Sequence, residues 1–411
     1  MMKSPDYGYD IRLLFATRMT RMFAYGLLSV VLALYLATLG LTGEEIGFLL
    51  TCTLLGDVVV SLFITTVADR IGRKRMLMLG GVLMAAAGAA FALTSNYVLL
   101  IIAATVGVIA PSDKDVGPFL SIEQAALAQL VPDAQRTHAF AWYNLAGSFA
   151  TAAGALLCGV VLGTLQSGDT PQVNPYRTII AMYTVCGLAL VALFGFLSRS
   201  SEVQSAASVG TKHRFALHHS QGVVMKLSGL FALDAFAGGF IVQSMMAYWF
   251  HLKFGVAPET LGGIFFGANI LAGCSALLAA RLAKKFGLIN TMVYTHIPSS
   301  VLLILVPLMP TLELAIAALL LRFTISQMDV PTRQSYTMAV VRPEERSAAS
   351  GITNVARSVG GSIAPTFTGQ MLSVPGLWSL PFFLAGGLKI LYDLMLYRSF
   401  RRLRPPEEKP S

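Results

Sequence analysis

The chain reads as long apolar runs separated by short polar breaks. About 20 residues cross the hydrocarbon of a bilayer, and twelve segments meet that length. They run near 12–38, 44–67, 76–95, 98–130, 138–164 and 177–198, then near 224–252, 259–282, 290–309, 312–340, 346–373 and 377–400. Several exceed one membrane thickness, which predicts tilt or projection into water. Between the two sets lies SRSSEVQSAASVGTKHRFALHHSQG, polar and without periodicity, and it reads as a linker on one membrane face. The pattern predicts an all-α membrane protein of twelve transmembrane helices in two six-helix halves. The boundaries are 1–198 for the first bundle, 199–222 for the linker, 223–400 for the second bundle and 401–411 for a tail.

A repeat turns the helix count into an architecture. Residues 38–77 align with 253–292 without a gap. Gly40, Glu44, Gly47, Ala68 and Gly72 fall on Gly255, Glu259, Gly262, Ala283 and Gly287. A looser match sets Pro118 to Asn144 beside Pro331 to Asn354. Two halves in parallel orientation are the expected result, with a substrate site near the bilayer midplane between them.

Composition agrees with a lipid-facing chain. Of the 411 residues 55% are hydrophobic and 12% charged, and mean hydropathy is +0.67. Soluble domains carry about 25% charged residues. The net charge of +9 sits in short stretches between apolar runs, as helix flanks do, so no nucleic acid is expected as a partner. RIGRKR at 70–75, Arg136, the linker, RLAKK at 281–285, Arg342 with Arg346 and the RRLR tail all fall on one side. The positive-inside rule then puts both termini and the linker in the cytoplasm of a multi-pass protein of the cell (plasma or inner) membrane. The start, MMKSPDYGYD, has no signal-peptide character, so the first apolar run is expected to be retained. Cys52, Cys158, Cys186 and Cys274 lie in apolar runs and read as small buried hydrophobes. His213, His218 and His219 fall in the linker and read as solvated. No metal or cofactor is expected. There is no phosphate-cradling loop, nucleophile elbow or zinc motif, which argues against an enzyme and against ATP-driven pumping.

Between the second and third helices stands Ala68-Asp69-Arg70-Ile71-Gly72-Arg73-Lys74-Arg75. It resembles the signature loop of the major facilitator superfamily from Asp69 onward, with Thr65 where the pattern has glycine. The likeness extends over the whole chain through helix number, central linker and half-repeat. It implies a secondary transporter working by alternating access, similar to drug-efflux-like members. By the same resemblance Asp69, Arg70, Gly72 and Arg73, with Glu123 or Asp133 as the acid for Arg73, form a latch that holds the outward-facing state. Gly72 suits a tight turn, and Asp69 suits a helix N-terminus. The second copy carries Lys284 where Asp69 stands. Two family features are missing: an arginine in the fourth helix and an acid in the first.

Ionisable residues at membrane depth are costly and point to function. Arg18 and Arg21 lie on the first helix, and Arg18 suits either a site or the headgroup region. Asp57 is an acid at mid-helix in the second. Asp113, Lys114 and Asp115 occupy a Pro111–Pro118 break in the fourth, where irregular backbone suits a cavity wall or a salt-bridged kink. Asp234 enters the seventh. Arg322, Asp329 and Arg333, spaced by seven and four, share one face of a continuous tenth helix. Arg357 lies on the eleventh. Lys389 and Asp393 read as a self-neutralising pair on the twelfth. Substrate and coupling candidates are therefore Arg21, Asp57, Asp113, Lys114, Asp115, Asp234, Arg322, Asp329 and Arg357. The expected partners are a small-molecule substrate and membrane lipid, with the chain a monomer. The expected activity is proton-coupled export of a small organic solute, with uptake or facilitated diffusion as the alternative and a non-transporting receptor or scaffold as a third. Gly147 and Gly154, with Gly351, Gly360 and Gly361, are placed for close helix packing.

Overall fold

The structure is a computed structural model that describes residues 7–109, 111–112, 118–166, 173–198, 220–342, 345–401 and 403. Among the described residues the chain is helical throughout: fifteen α-helices and two short 3-10 turns. In order these are α1 (Tyr7–Thr38), α2 (Gly43–Ile71), α3 (Arg73–Leu93), α4 (Tyr97–Val106), α5 (Pro118–Leu130), α6 (Asp133–Gln166), α7 (Val173–Gly195) and α8 (Gln221–Gly239). There follow α9 (Gln243–Phe254), α10 (Pro258–Phe286), α11 (Leu288–Leu305), α12 (Leu312–Phe323), α13 (Asp329–Ala339), α14 (Arg346–Leu372) and α15 (Leu380–Phe400).

Among the described residues nine spans are long and apolar enough to cross a bilayer, counting α8 and α9 together. The other three of the twelve are α4–α5, α12–α13 and α14. Two of these are interrupted, and the third carries Arg357 and many small polar residues. The fourth span breaks where the sequence predicts. The tenth breaks too, at 324–328, which corrects the expectation of one continuous helix there. Arg322 therefore ends α12, while Asp329 and Arg333 begin α13.

The exposed backbone at both breaks finds partners, as it must at membrane depth. Tyr183 donates its hydroxyl to the Val108 carbonyl at 2.5 Å. The Ser244 amide donates to the Pro111 carbonyl at 3.2 Å. At the other break the Gln327 amide donates to Ser275 Oγ at 3.3 Å. Asp113, Lys114 and Asp115 lie outside the described residues, as do the linker histidines.

The helices divide into two compact units. One holds α1 to α7 together with residues 242–269, and the other holds α8 and residues 270 onward. In the first, α1 packs on α6, α3 on α7 and α9 on α1. In the second, α8 packs on α14 and α11 on α15. The α1–α6 contact is backbone-close, since a Cβ on Gly26 would sit 2.1 Å from the Thr151 carbonyl and one on Gly154 the same distance from the Phe23 carbonyl. The α8–α14 contact is built likewise: a Cβ on Gly360 would lie 2.4 Å from the Ala232 carbonyl, and one on Gly239 as close to that of Gly361. Gly351 meets no neighbour within 4 Å, so its place in the predicted packing set is not supported.

The gapless repeat is visible in the backbone. Among the described residues the glycines with positive φ are Gly40, Gly72, Gly255 and Gly287, at 86°, 113°, 64° and 85°. These are two of the aligned pairs, each in a turn that ends one helix before the next. The Gly72 and Gly287 amides make the same bond, to Ala68 and Ala283 at 2.9 Å. Lys74, in the basic loop, donates to the carbonyls of Gly195 and Leu197 at 2.6 and 3.0 Å. A cation on the last carbonyls of α7 is favourable in the helix dipole. Asp10 accepts the Ser198 amide at 3.1 Å just beyond, where the linker begins.

Candidate functional site

In the first unit, Thr17 and Arg21 are four apart on α1 and so share a face. Both turn to Glu123 on α5. Arg21 Nη2 meets Glu123 Oε2 at 2.7 Å, and neither side chain is exposed at all. Thr17 donates to Oε1 at 2.8 Å, and Tyr143 of α6 donates its hydroxyl to Oε2. The carboxylate thus takes a charged partner and two hydroxyls, the pattern that makes a buried ion tolerable.

Aromatic rings and small residues fix this geometry. Arg21 lies over the Phe119 ring at 4.8 Å. That ring fits against Gly80, where a Cβ would be 2.8 Å from it, and stacks on Phe194 at 6.0 Å. Arg18 lies over Tyr143 at 4.7 Å and reaches Asn144 Oδ1 at 3.4 Å. It occupies a notch left by Gly147, where a Cβ would approach Arg18 Nε to 2.8 Å. Arg18 is therefore buried beside the network. Asp57 is also buried, on α2.

The second unit holds a larger network centred on Asp234 of α8. Lys389 Nζ of α15 meets Asp234 Oδ1 at 2.7 Å. Arg357 of α14 and Arg333 of α13 meet Oδ2 at 3.1 and 3.4 Å. Arg333 also bonds Asp329, four residues before it on α13, at 2.7 Å. His296 of α11 completes the group. Its Nδ1 lies 3.0 Å from both oxygens of Asp393, and its Nε2 lies 3.8 Å from Asp234 Oδ1. The close α8–α14 packing around Ala232 and Gly360 is what brings Arg357 to Asp234.

Formal charge in this network balances: three carboxylates face two arginines and one lysine. The balance holds with His296 neutral and shifts by one when it is protonated. Asp234, Asp393, Lys389 and Arg333 are buried, while the Arg357 side chain is 23% exposed and gives the cluster its outlet.

Of the sequence-predicted residues, the structure joins Arg21 to Glu123, and Asp234 to Asp329 and Arg357. Arg322 lies over the Phe323 ring at 5.1 Å. Lys389 and Asp393 do not neutralise each other as the i,i+4 spacing suggests, for Lys389 goes to Asp234 and Asp393 to His296. Arg73 donates to Gln129 at 2.9 Å, while Glu123 is taken by Arg21. The side chains of Asp69, Arg70 and Asp133 lie outside the described residues. Thr17, Tyr143 and His296 escaped sequence reasoning. A histidine inside an apolar run reads as core, and its acids lie 62 residues before and 97 after it.

The profile of the Major Facilitator Superfamily matches residues 14–365. An uncharacterised membrane protein of Saccharomyces cerevisiae, YJR124C, is 30% identical over 417 residues, covering 94% of this chain and 93% of that one. A shorter stretch of 82 residues is 34% identical to the quinolone resistance protein NorA of Staphylococcus aureus, 20% of this chain and 21% of that one. Among solved structures, the nucleoside transporter NupG aligns with a TM-score of 0.74 at 14% identity, covering 95% and 99% of the two chains. A bacterial homologue of the human lysosomal transporter Spinster aligns with a TM-score of 0.74 at 16% identity over the whole of both. At such identities the solved structures establish the fold, and the profile match establishes the family. The chain belongs to the major facilitator superfamily of secondary transporters of small solutes.

Proposed function

We propose that this transporter moves a small organic solute out of the cell by alternating access, with a proton as the coupling ion. The carrying observation is the Asp234 network. One buried carboxylate there holds three cations from three helices, and a histidine stands between it and a second acid. Such a group cannot lose or gain charge without redistributing its partners, because an uncompensated buried charge costs several kcal/mol. Coupling a proton to a conformational change needs that property.

Export is supported by the stretch that resembles a quinolone resistance protein. The other candidate residues belong to the same reading. Asp57, Asp113, Lys114, Asp115, Arg322 and Asp329 are proposed to line or tune the path. Asp69, Arg70, Gly72 and Arg73 are proposed as the latch, with Asp133 as the acid partner. Both termini and the linker are proposed to face the cytoplasm.

The test is flux in proteoliposomes, with the fluorescent quinolone norfloxacin as probe and an imposed pH gradient. A one-unit gradient coupled to one proton per solute drives about tenfold accumulation, since 1.4 kcal/mol is a factor of ten. Flux that merely equilibrates under the gradient would refute proton coupling and leave a facilitative transporter.

A further inference from the structure

We propose that His296 and Asp393 together form the proton-binding site of this transporter, and that its loading redistributes the cations held by Asp234. The inference rests on the proton-coupled reading and says which groups carry that proton.

The geometry gives the two imidazole nitrogens different work. Nδ1 lies 3.0 Å from both oxygens of Asp393. A carboxylate accepts only, so this nitrogen carries the hydrogen, donating to both oxygens. Nε2 is then the open base of the neutral ring. It lies 3.8 Å from Asp234 Oδ1; an unprotonated nitrogen and a carboxylate oxygen make no hydrogen bond, and a protonated one would form it by closing that gap. When Nε2 takes a proton from water the ring becomes a cation between two carboxylates. It then competes for Asp234 Oδ1 with Lys389, which holds that oxygen at 2.7 Å. Release returns the proton to water and the oxygen to Lys389. No other bond is made or broken.

The surroundings suit a site that changes charge rather than a fixed ion pair. With the ring neutral, Asp234, Asp329 and Asp393 balance Lys389, Arg333 and Arg357. Each added proton puts one net charge into a cluster that is buried except at Arg357. The helices packed on α11 supply Asp393, Lys389 and Tyr392 from α15, and Arg333 and Asp329 from α13. Asp234 comes from α8, Arg357 from α14, and Arg322 stands on α12. The Tyr392 ring meets the imidazole edge-on at 5.9 Å and fixes its plane. Histidine is the side chain whose ordinary titration falls in the physiological range.

The experiment reads the imidazole directly. The chain has six histidines, and replacing the other five (His138, His213, His218, His219 and His251) leaves His296 alone. Nitrogen-15 NMR of that protein in nanodiscs, from about pH 8 to about pH 5.5, is expected to show the ring passing between its neutral and charged states. Asp393→Asn should displace the midpoint by at least about one pH unit, the usual effect of removing an opposite charge within hydrogen-bond reach. A ring that keeps one state throughout, or a midpoint indifferent to Asp393→Asn, overturns the proposal. If the five-fold variant does not fold, the flux profile decides. His296→Asn keeps an amide near the Nδ1 position but cannot take a proton at Nε2. The norfloxacin flux profile should lose its pH dependence in this variant, whereas a structural defect lowers the rate at every pH and keeps the profile's shape. A gradient response in the parent that persists unchanged in His296→Asn overturns the site alone. A parent that ignores the gradient overturns the coupled reading and the site's coupling role with it.

Discussion

Glu123→Gln isolates one charge at the centre of the first unit. The change keeps the shape of the side chain, and the amide oxygen can still accept from one of the two hydroxyls, which donate to different carboxylate oxygens. What disappears is the anion 2.7 Å from Arg21, a guanidinium with no exposure to water. Breaking a buried pair from one side costs about 3–5 kcal/mol, because the remaining charge is left uncompensated. The isosteric side chain and its one retained hydroxyl bond argue for the lower end. Partners available to the unfolded chain within the bilayer lower it further, as double-mutant cycles in membranes indicate. A loss of about 2 kcal/mol or more is expected, roughly a thirtyfold change in the folded ratio. Unfolding by dodecyl sulphate in mixed micelles measures it against the parent. The double variant Arg21→Met with Glu123→Gln should recover most of the loss, since it removes both charges. A single variant within about 0.5 kcal/mol of the parent, or a double variant no better than the single one, would show that the pair is not what balances Arg21.

Two further outcomes follow from the backbone. Gly154→Val forces side-chain atoms into a space where a Cβ already lies 2.1 Å from the Phe23 carbonyl. The α1–α6 contact must open, and yield of monodisperse protein on size exclusion should collapse. Gly387→Val, where nothing lies within 4 Å, should leave it intact. Gly255 sits at φ 64° with open space around it, so Gly255→Ala loses about 1–2 kcal/mol through backbone strain alone. Gly255→Asn should lose clearly less in the same mixed-micelle titration, because asparagine tolerates this conformation.

Much of the fold was legible because lipid enforces a simple rule: a span must be long, apolar and internally bonded. That rule located the segments and, through Pro111 and Pro118, the break in the fourth span. The repeat was legible for a different reason, since turns with positive φ retain glycine, and Gly40, Gly72, Gly255 and Gly287 mark the same turns in both copies. The break at 324–328 itself carries no proline or glycine, and Pro331, the counterpart of Pro118, stands in the first turn of the next helix, where it was not read as the end of a break. The site was legible only as a set of costly charges. Which charge meets which is decided by helix packing, so the separation of 102 positions from Arg21 to Glu123 hid their pairing. The local spacing of Lys389 and Asp393 suggested a pairing the fold does not make, because α15 turns each toward a different partner. The outlet at Arg357 depends likewise on the Gly360 contact that sets α14 on α8.

The two networks are one construction with its polarity exchanged. Arg21 stands on α1 and Asp234 on α8, the helices that open the two halves. In the first, the cation is on the opening helix and the acid is on the later half of a broken span. In the second, the acid is on the opening helix and Arg333 is on the later half of a broken span. The first copy closes on itself: Glu123 takes one guanidinium and two hydroxyls, all from α1 and α6. The second copy recruits three more helices and a histidine, so its acid has several partners among which to shift. On the proton-coupled reading proposed above, the second network is therefore the one whose acid can exchange partners, and the first is the one that holds its pair in place.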